Sequence, residues 1–84
     1  MVVYLRPCEG PSRAAWVAGR KVGGAVRRNR ARRLLREAWR ALAHGIGDGW
    51  ELVLVARRDI DGAKAENVIQ EVEELLRREG VMRG

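Results

Sequence analysis

The chain has 84 residues, 46% of them hydrophobic, and it carries 17 Lys and Arg against 11 Asp and Glu, a formal net charge of +6. This length predicts a single domain, residues 1–84, and the spread of apolar residues excludes a disordered basic tail. No apolar run approaches the roughly 20 residues of a membrane span and no signal-peptide pattern is present, so we expect a cytoplasmic protein. The excess of basic residues predicts that it binds a polyanionic partner.

Two short β-strands are predicted near the start of the chain. Residues 2–5 are β-favouring and stop at Pro7, and residues 14–18 form a second apolar run after a turn that contains Gly10 and Pro11. We expect these two strands to pair with each other as an antiparallel hairpin. The glycine-rich segment 19–24 is predicted to be a loop that leads into a helix.

A helix is predicted over residues 25–43, because apolar residues recur there at three- and four-residue spacing. The predicted buried stripe consists of Ala31, Leu34, Leu35, Ala38 and Leu42. At about 100° per residue, the opposite side carries polar residues, namely Asn29, Arg33, Arg36 and Arg40, flanked by Arg30 and Arg32. One helix therefore separates a core face from a charged face.

The rest of the chain predicts one more strand and one more helix. Residues 50–56 (WELVLVA) are so continuously apolar that we expect a central strand covered on both faces. A last helix is predicted over residues 62–79, with Asp61 as its N-cap and an acidic outer face. The fold class that follows is α+β, a small β-β-α-β-α sandwich with one sheet packed against two helices.

Side chains that support catalysis or metal binding are scarce. The chain has one histidine, His44, one cysteine, Cys8, and one serine, Ser12. We expect His44 to be exposed at a helix end, and the lone Cys8 fits a reducing compartment. The sequence thus predicts no catalytic residue, no metal site and no cofactor bound by the protein itself.

Positive charge is concentrated between residues 20 and 40, where nine cationic side chains share one carboxylate, Glu37. Intrahelical ion pairs do not account for this density. Most of these residues are arginines, whose guanidinium groups suit bidentate phosphate contacts, and the glycine-rich loop leads to a helix N-terminus, which favours anions. The segment predicts a surface for the phosphate backbone of a folded nucleic acid, and RNA is the first candidate.

The stretch from Lys21 to Arg36, KVGGAVRRNRARRLLR, resembles the signature of the bacterial ribonuclease P protein component, with Arg28-Asn29-Arg30 as its hallmark. This resemblance implies the fold of that family without its N-terminal helix. It also implies a non-catalytic subunit, monomeric in a 1:1 ribonucleoprotein, whose partners are the ribonuclease P catalytic RNA and precursor tRNA. In the family the RNA and its Mg²⁺ ions perform the hydrolysis that removes the 5′ leader, and no small-molecule substrate is involved.

The resemblance carries over site residues. The RNA contacts that it implies are Arg20, Lys21, Arg27, Arg28, Asn29, Arg30, Arg32, Arg33, Arg36 and Arg40. The candidates for the leader groove, which the family forms between the sheet face and the helix, are Tyr4, Arg13 and Trp16; a core role is the alternative for the two aromatic residues. The family fold also implies a left-handed crossover between the second strand, the basic helix and the third strand.

Two questions stay open at this point. Family members generally begin with a further helix and a short aromatic strand that line the leader groove. This sequence starts at the next strand, either as a natural minimal version or as a truncated one. Whether the protein binds the leader depends on which of these is correct.

The residues also leave two other functions open. One is a DNA-binding module that uses Arg30, Arg33 and Arg40 in a major groove, and the other is a structural RNA-binding protein of the ribosome.

Overall fold

The computed structural model describes residues 1–60 and 62–82. Within these residues the chain forms three β-strands, β1 (Val2–Pro7), β2 (Arg13–Ala18) and β3 (Trp50–Ala56), and two α-helices, α1 (Ala25–Leu42) and α2 (Ala65–Arg78). Short 3₁₀ turns follow β2, α1 and β3, at Arg20–Val22, Ala43–Gly45 and Arg58–Ile60. The predicted α+β class and element order are confirmed.

The strands form one sheet in the order β1-β3-β2, so the last strand in the chain lies at the centre. β1 is antiparallel to β3 and β2 is parallel to it, and both Val3 and Trp16 lie opposite Leu54. The predicted hairpin is therefore wrong, because β1 and β2 each bond to β3 and not to each other. β3 is the most apolar strand, and the central position buries its Leu52 and Leu54 completely, each 0% exposed.

The connection between β1 and β2 crosses the beginning of β3 instead of making a tight turn. Its backbone is held there by two hydrogen bonds of 2.9 Å, from the Cys8 amide to the Gly49 carbonyl and from the Gly49 amide to the Gly10 carbonyl. The side chain of Ser12 adds two more: its Oγ donates to the Gly47 carbonyl (2.5 Å) and accepts from the Trp50 amide (2.9 Å). This loop joins the two edge strands across the central one.

Both helices pack on one face of the sheet. Their buried residues join Leu52, Leu54 and Ala56 in a single core, whereas Val53 and Val55, which alternate with these residues along β3, stay partly exposed on the other face. The prediction that β3 is covered on both faces is therefore wrong. On this open face Tyr4 is 62% and Val17 45% exposed, so the sheet offers an accessible surface as well as a core.

The helices follow their predicted patterns with one difference at a boundary. In α1 the five residues of the predicted stripe are the ones that are buried. α2 begins at Ala65 rather than near residue 62, because Gly62 has φ 80°, outside the right-handed helical region, and Lys64 occupies the N-cap position. Asp61, which was the predicted N-cap, lies outside the described residues. Neither of the described helices has the combination of length and apolar composition that a membrane span requires.

Candidate nucleic-acid interface

α1 places its apolar stripe on the sheet and thereby turns its cationic side chains towards solvent. We call its exposed outer residues the arginine face, which consists of Asn29, Arg30, Arg33, Arg36 and Arg40. Arg28 and Arg32 border this face and are half-buried, and Arg27 is exposed near the start of the helix. The separation of core and charge predicted from the helical period is confirmed.

Few carboxylates neutralise the arginine face. Arg30 Nη2 donates a hydrogen bond to the Ala63 carbonyl (3.3 Å), and Arg32 Nη2 donates to Asn29 Oδ1, so both of these arginines contact neutral oxygens. Among residues 1–60 and 62–82, Arg33, Arg36 and Arg40 have no ion-pair partner. Like charges that share one helix face repel each other, and a bound polyanion would relieve that repulsion.

The N-terminus of α1 has features that favour the binding of an anion. Gly24 is the N-cap residue, no side chain caps the helix, and the first turn contains no acidic residue. The first amide N–H groups therefore lack a capping side chain at the end where the helix dipole is positive. The preceding Gly23 has φ 138°, and a Cβ there would lie 2.6 Å from Cδ of Arg27. Only glycine provides this backbone conformation together with room for the arginine side chain.

Two grooves run along the arginine face, and Asn29 and Arg33 line both of them. The first, which we call the Trp16 groove, has a volume of about 360 Å³ between β2 and α1 and is lined by Trp16, Asn29, Arg32, Arg33 and Arg36. The second has a volume of about 390 Å³ and is lined by Val26, Asn29, Arg30, Arg33 and Leu34. Concave surfaces that combine guanidinium groups with apolar or aromatic walls suit nucleotides better than flat charged surfaces do.

A third concavity, the open-face cavity, lies on the side of the sheet away from the helices. It has a volume of about 660 Å³, and its apolar floor includes Tyr4, Val17 and Val55. Four cationic residues surround it: Arg20, Lys21, Arg57 and Arg58. The predicted loop contacts Arg20 and Lys21 therefore line this cavity, apart from the two grooves that the residues of α1 line.

Arg57 and Arg58 are candidate site residues that the sequence did not predict. They follow β3 directly and are exposed. Two adjacent arginines at the end of the most apolar strand were a signal in the sequence, but their proximity to Arg20 and Lys21 depends on the parallel pairing of β2 with β3.

The three residues predicted for the leader groove do not share one surface. Tyr4 lies opposite Val53 and Arg13 opposite Glu51, which places both on the open face, whereas Trp16 lies opposite Leu54 and faces the helices. Successive side chains of a strand point to opposite faces, so this separation follows from the register. The sheet brings Tyr4 and Arg13 to one face and assigns Trp16 to the other.

Arg13 takes part in an ion-pair network that crosses the sheet. Its Nε donates to Glu51 Oε2 (2.8 Å), and Nε of Arg6 donates to Oε1 of the same carboxylate (2.5 Å). The hydrogen bond from Arg6 lowers the pKa of Glu51 below its ordinary value of 4.5; burial opposes this shift, and the hydrogen bond from Arg13 supports it. Two arginines share one carboxylate, so this part of the open face keeps a positive charge.

The other polar residues that the sequence singled out lie apart from these surfaces. His44 is exposed in the turn after α1, Cys8 is partly buried, and Ser12 makes the structural hydrogen bonds described above. In the described part of the chain, no group of three or more His, Cys, Asp and Glu side chains is placed to hold a metal ion.

Comparisons with known proteins point to one family. The family model described as ribonuclease P matches residues 1–80. A curated relative from Pelotomaculum thermopropionicum, named ribonuclease P protein component, is 42% identical over 74 residues, which are 88% of this chain and 66% of the relative. Another with the same name, from Symbiobacterium thermophilum, is 43% identical over 72 residues, which are 86% of this chain and 63% of the relative. The chain thus spans less than two thirds of the length of these relatives.

Solved structures agree with the family match. The RNase P protein from Thermotoga maritima superimposes with a TM-score of 0.80 at 30% identity, covering 90% of this chain and 74% of that protein. The Staphylococcus aureus RNase P protein has the same fold, with a TM-score of 0.81 at 22% identity over 96% of this chain and 75% of that one.

Proposed function

The chain belongs to the ribonuclease P protein family, and on this premise we propose that it binds the catalytic RNA of ribonuclease P and assists the removal of 5′ leaders from precursor tRNA. The resemblance predicted from residues 21–36 is confirmed by the match over residues 1–80. The observation that carries the proposal is the arginine face of α1, where Arg33, Arg36 and Arg40 have no ion-pair partner in the described part of the chain.

The proposed mechanism is electrostatic. A folded RNA brings phosphates close together, and the arginines of α1 displace the counterions that condense on them. The uncapped N-terminus adds N–H donors at the beginning of the same helix. Binding in this way stabilises the active fold of the RNA and lowers the Mg²⁺ concentration that it requires. The RNA binds the Mg²⁺ ions and performs the hydrolysis, and the protein contributes no catalytic side chain.

We assign the 5′ leader of precursor tRNA to the open face of the sheet. The open-face cavity combines the exposed ring of Tyr4 with a cationic rim that includes Arg20 and Arg57. Single-stranded nucleic acids are held by aromatic stacking within a positively charged groove, and this cavity has both components. Arg13 lies on the same face but shares Glu51 with Arg6, so its contribution is smaller.

The proposal includes a cytoplasmic location and a 1:1 ribonucleoprotein with a monomeric protein. Light scattering of the purified complex checks the stoichiometry, and a protein-to-RNA ratio other than one would contradict it.

The family match does not favour the DNA-binding or ribosomal alternatives that the residues alone left open.

A reconstituted cleavage assay tests the function. The full chain is mixed with a bacterial ribonuclease P RNA and a precursor tRNA at a Mg²⁺ concentration too low for the RNA alone. We expect 5′ processing to appear when the protein is added. The RNA alone at high Mg²⁺ serves as the control for an active ribozyme, and a protein that gives no gain in processing at low Mg²⁺ refutes the proposal.

A further inference from the structure

Trp16 lies between the core of the protein and the arginine face of α1. It lies on β2, an edge strand of the sheet, opposite Leu54 of the central strand, and therefore on the face that the helices cover. Its neighbours on that face, Ala14 and Ala18, are small. Trp16 remains only partly buried, packed against the core on one side while it forms a wall of the Trp16 groove on the other.

The remaining walls of the Trp16 groove carry hydrogen-bond donors. Arg32 and Arg33 contribute guanidinium groups from one turn of α1, and Arg36 contributes another from the next turn. The amide oxygen of Asn29 already accepts a hydrogen bond from Arg32, which leaves the amide NH₂ as a donor. A ligand for this groove therefore needs acceptor oxygens and a flat ring for the indole. A nucleotide supplies both.

We propose that the Trp16 groove holds one unstacked nucleotide of the catalytic RNA, with its base against the indole of Trp16 and its phosphate between Arg33 and Arg36. This inference rests on the proposed function and adds a nucleotide site to it. The groove adjoins the arginine face that docks on the RNA, whereas the leader surface around Tyr4 lies on the opposite side of the sheet. The nucleotide accordingly comes from the catalytic RNA and not from the leader.

The groove volume of about 360 Å³ is consistent with one nucleotide, since small-ligand pockets range from about 300 to 1,000 Å³. Stacking of a base on the indole also predicts what kind of RNA element is recognised. A base inside a continuous duplex is stacked on its neighbours and cannot reach the indole, so the groove requires a bulge, loop or junction.

The test compares two tryptophans that are both partly buried against the core, Trp16 and Trp39. Stacking of one base is worth about 1–3 kcal/mol, so Trp16→Leu is expected to weaken binding to ribonuclease P RNA by roughly 5- to 150-fold. The salt dependence of binding should not change, because no charge is removed. Trp16→Phe, which keeps an aromatic ring, should retain most of the affinity, and Trp39→Leu should bind like the wild type.

Three further measurements make the test specific. On a fully paired RNA duplex, Trp16→Leu should bind as well as the wild type. The affinity of the assembled holoenzyme for precursor tRNA should depend on leader length to the same extent in both proteins. Indole fluorescence should be quenched when the wild type binds the RNA, and this quenching should be largely absent in Trp16→Phe. Thermal melts establish that the compared variants are folded.

Each contrary result has a definite meaning. A folded Trp16→Leu variant with wild-type affinity overturns the inference, as does an equal loss in Trp39→Leu. If Trp16→Leu does not fold, the test is the indole fluorescence of the wild type and of Trp16→Phe on RNA binding. Quenching that persists in Trp16→Phe overturns the inference. A wild-type chain that does not bind ribonuclease P RNA refutes the proposed function itself, and the groove assignment is then rejected with it.

Discussion

Replacing Arg33 and Arg36 together by alanine tests whether the arginine face is a docking surface or only a solvated helix face. Both side chains are exposed and have no ion-pair partner among residues 1–60 and 62–82. The double substitution therefore breaks no ion pair within the described part of the protein. Because alanine favours helices and like-charge repulsion is relieved, we expect the free energy of unfolding to be unchanged or a few tenths of a kcal/mol higher.

The effect on RNA binding is expected to be large and dependent on salt. Each lost phosphate contact lowers the slope of log affinity against log salt by about 0.7 to 0.9, so two contacts lower it by about 1.4 to 1.8. Over a fourfold rise in salt, the wild type should therefore lose roughly tenfold more affinity than the double variant. The difference between the two proteins should be greatest at low salt and should narrow as salt increases.

The assay is a titration of ribonuclease P RNA with each protein at several salt concentrations. The control for charge is Arg77→Ala with Arg78→Ala, which removes the same charge from exposed positions in the last turn of α2 and also breaks the ion pair between Arg77 and Glu73 (3.2 Å). We expect this control to keep most of the salt slope. Equal slopes in the wild type and the Arg33 and Arg36 variant would refute a docking role, and loss of folding in that variant would show that the two arginines are structural.

Three other substitutions give separate readouts. Gly24→Asp adds a capping carboxylate where a Cβ has open space, so stability in thermal melts should rise by a few tenths of a kcal/mol while RNA affinity falls; a gain in affinity would contradict an anion site at this helix end. Ser12→Ala removes the hydrogen bonds to Gly47 and from Trp50 and should cost about 1–3 kcal/mol in urea unfolding, whereas wild-type stability would show that the loop does not depend on them. For Glu51→Gln, the lowered pKa of the carboxyl means that its stabilising effect is present above the ordinary value of 4.5 and is lost as pH falls through the folded-state pKa. The wild type should therefore be more stable than Glu51→Gln at neutral pH and equal to it in acid, and a gap that does not close in acid would contradict the ion-pair network.

Local patterns in the sequence predicted the helices and strands well. The bounds of β3 match the apolar run at residues 50–56, and α1 differs from its prediction by one residue at its end. Its charged face was predictable too, because the helical period alone decides which arginines point away from the core.

The pairing of strands could not be predicted in the same way. The hairpin expectation assumed that neighbours in the chain are neighbours in the sheet, whereas β3 gains more burial between β1 and β2 than at an edge. Coverage of β3 on both faces was expected because Val53 and Val55 are apolar, although both lie on the open face. The helix predicted over residues 62–79 begins too early. The positive φ of Gly62, which excludes this residue from a right-handed helix, cannot be predicted from the residue type alone.

The face on which Trp16 lies was also beyond local patterns. Residues 14–18 are all apolar, so no alternation between polar and apolar residues shows which side chains point towards the core. The parallel register with β3 decides it, and with it the separation of Trp16 from Tyr4. For the same reason the grouping of Arg57 and Arg58 with Arg20 and Lys21 required the sheet.

The central position of β3 also constrains how the protein folds. Both β1 and β2 bond to β3 in the described sheet, so neither has its partner until residues 50–56 have been synthesised. On the ribosome, the basic helix α1 therefore emerges before the sheet that supports it can form. A local hairpin closes in about 1–10 μs, but this sheet must close around the whole of residues 19–49, and non-local pairing of this kind is slower. The sheet is therefore completed only after β3 has been synthesised, which is later than α1.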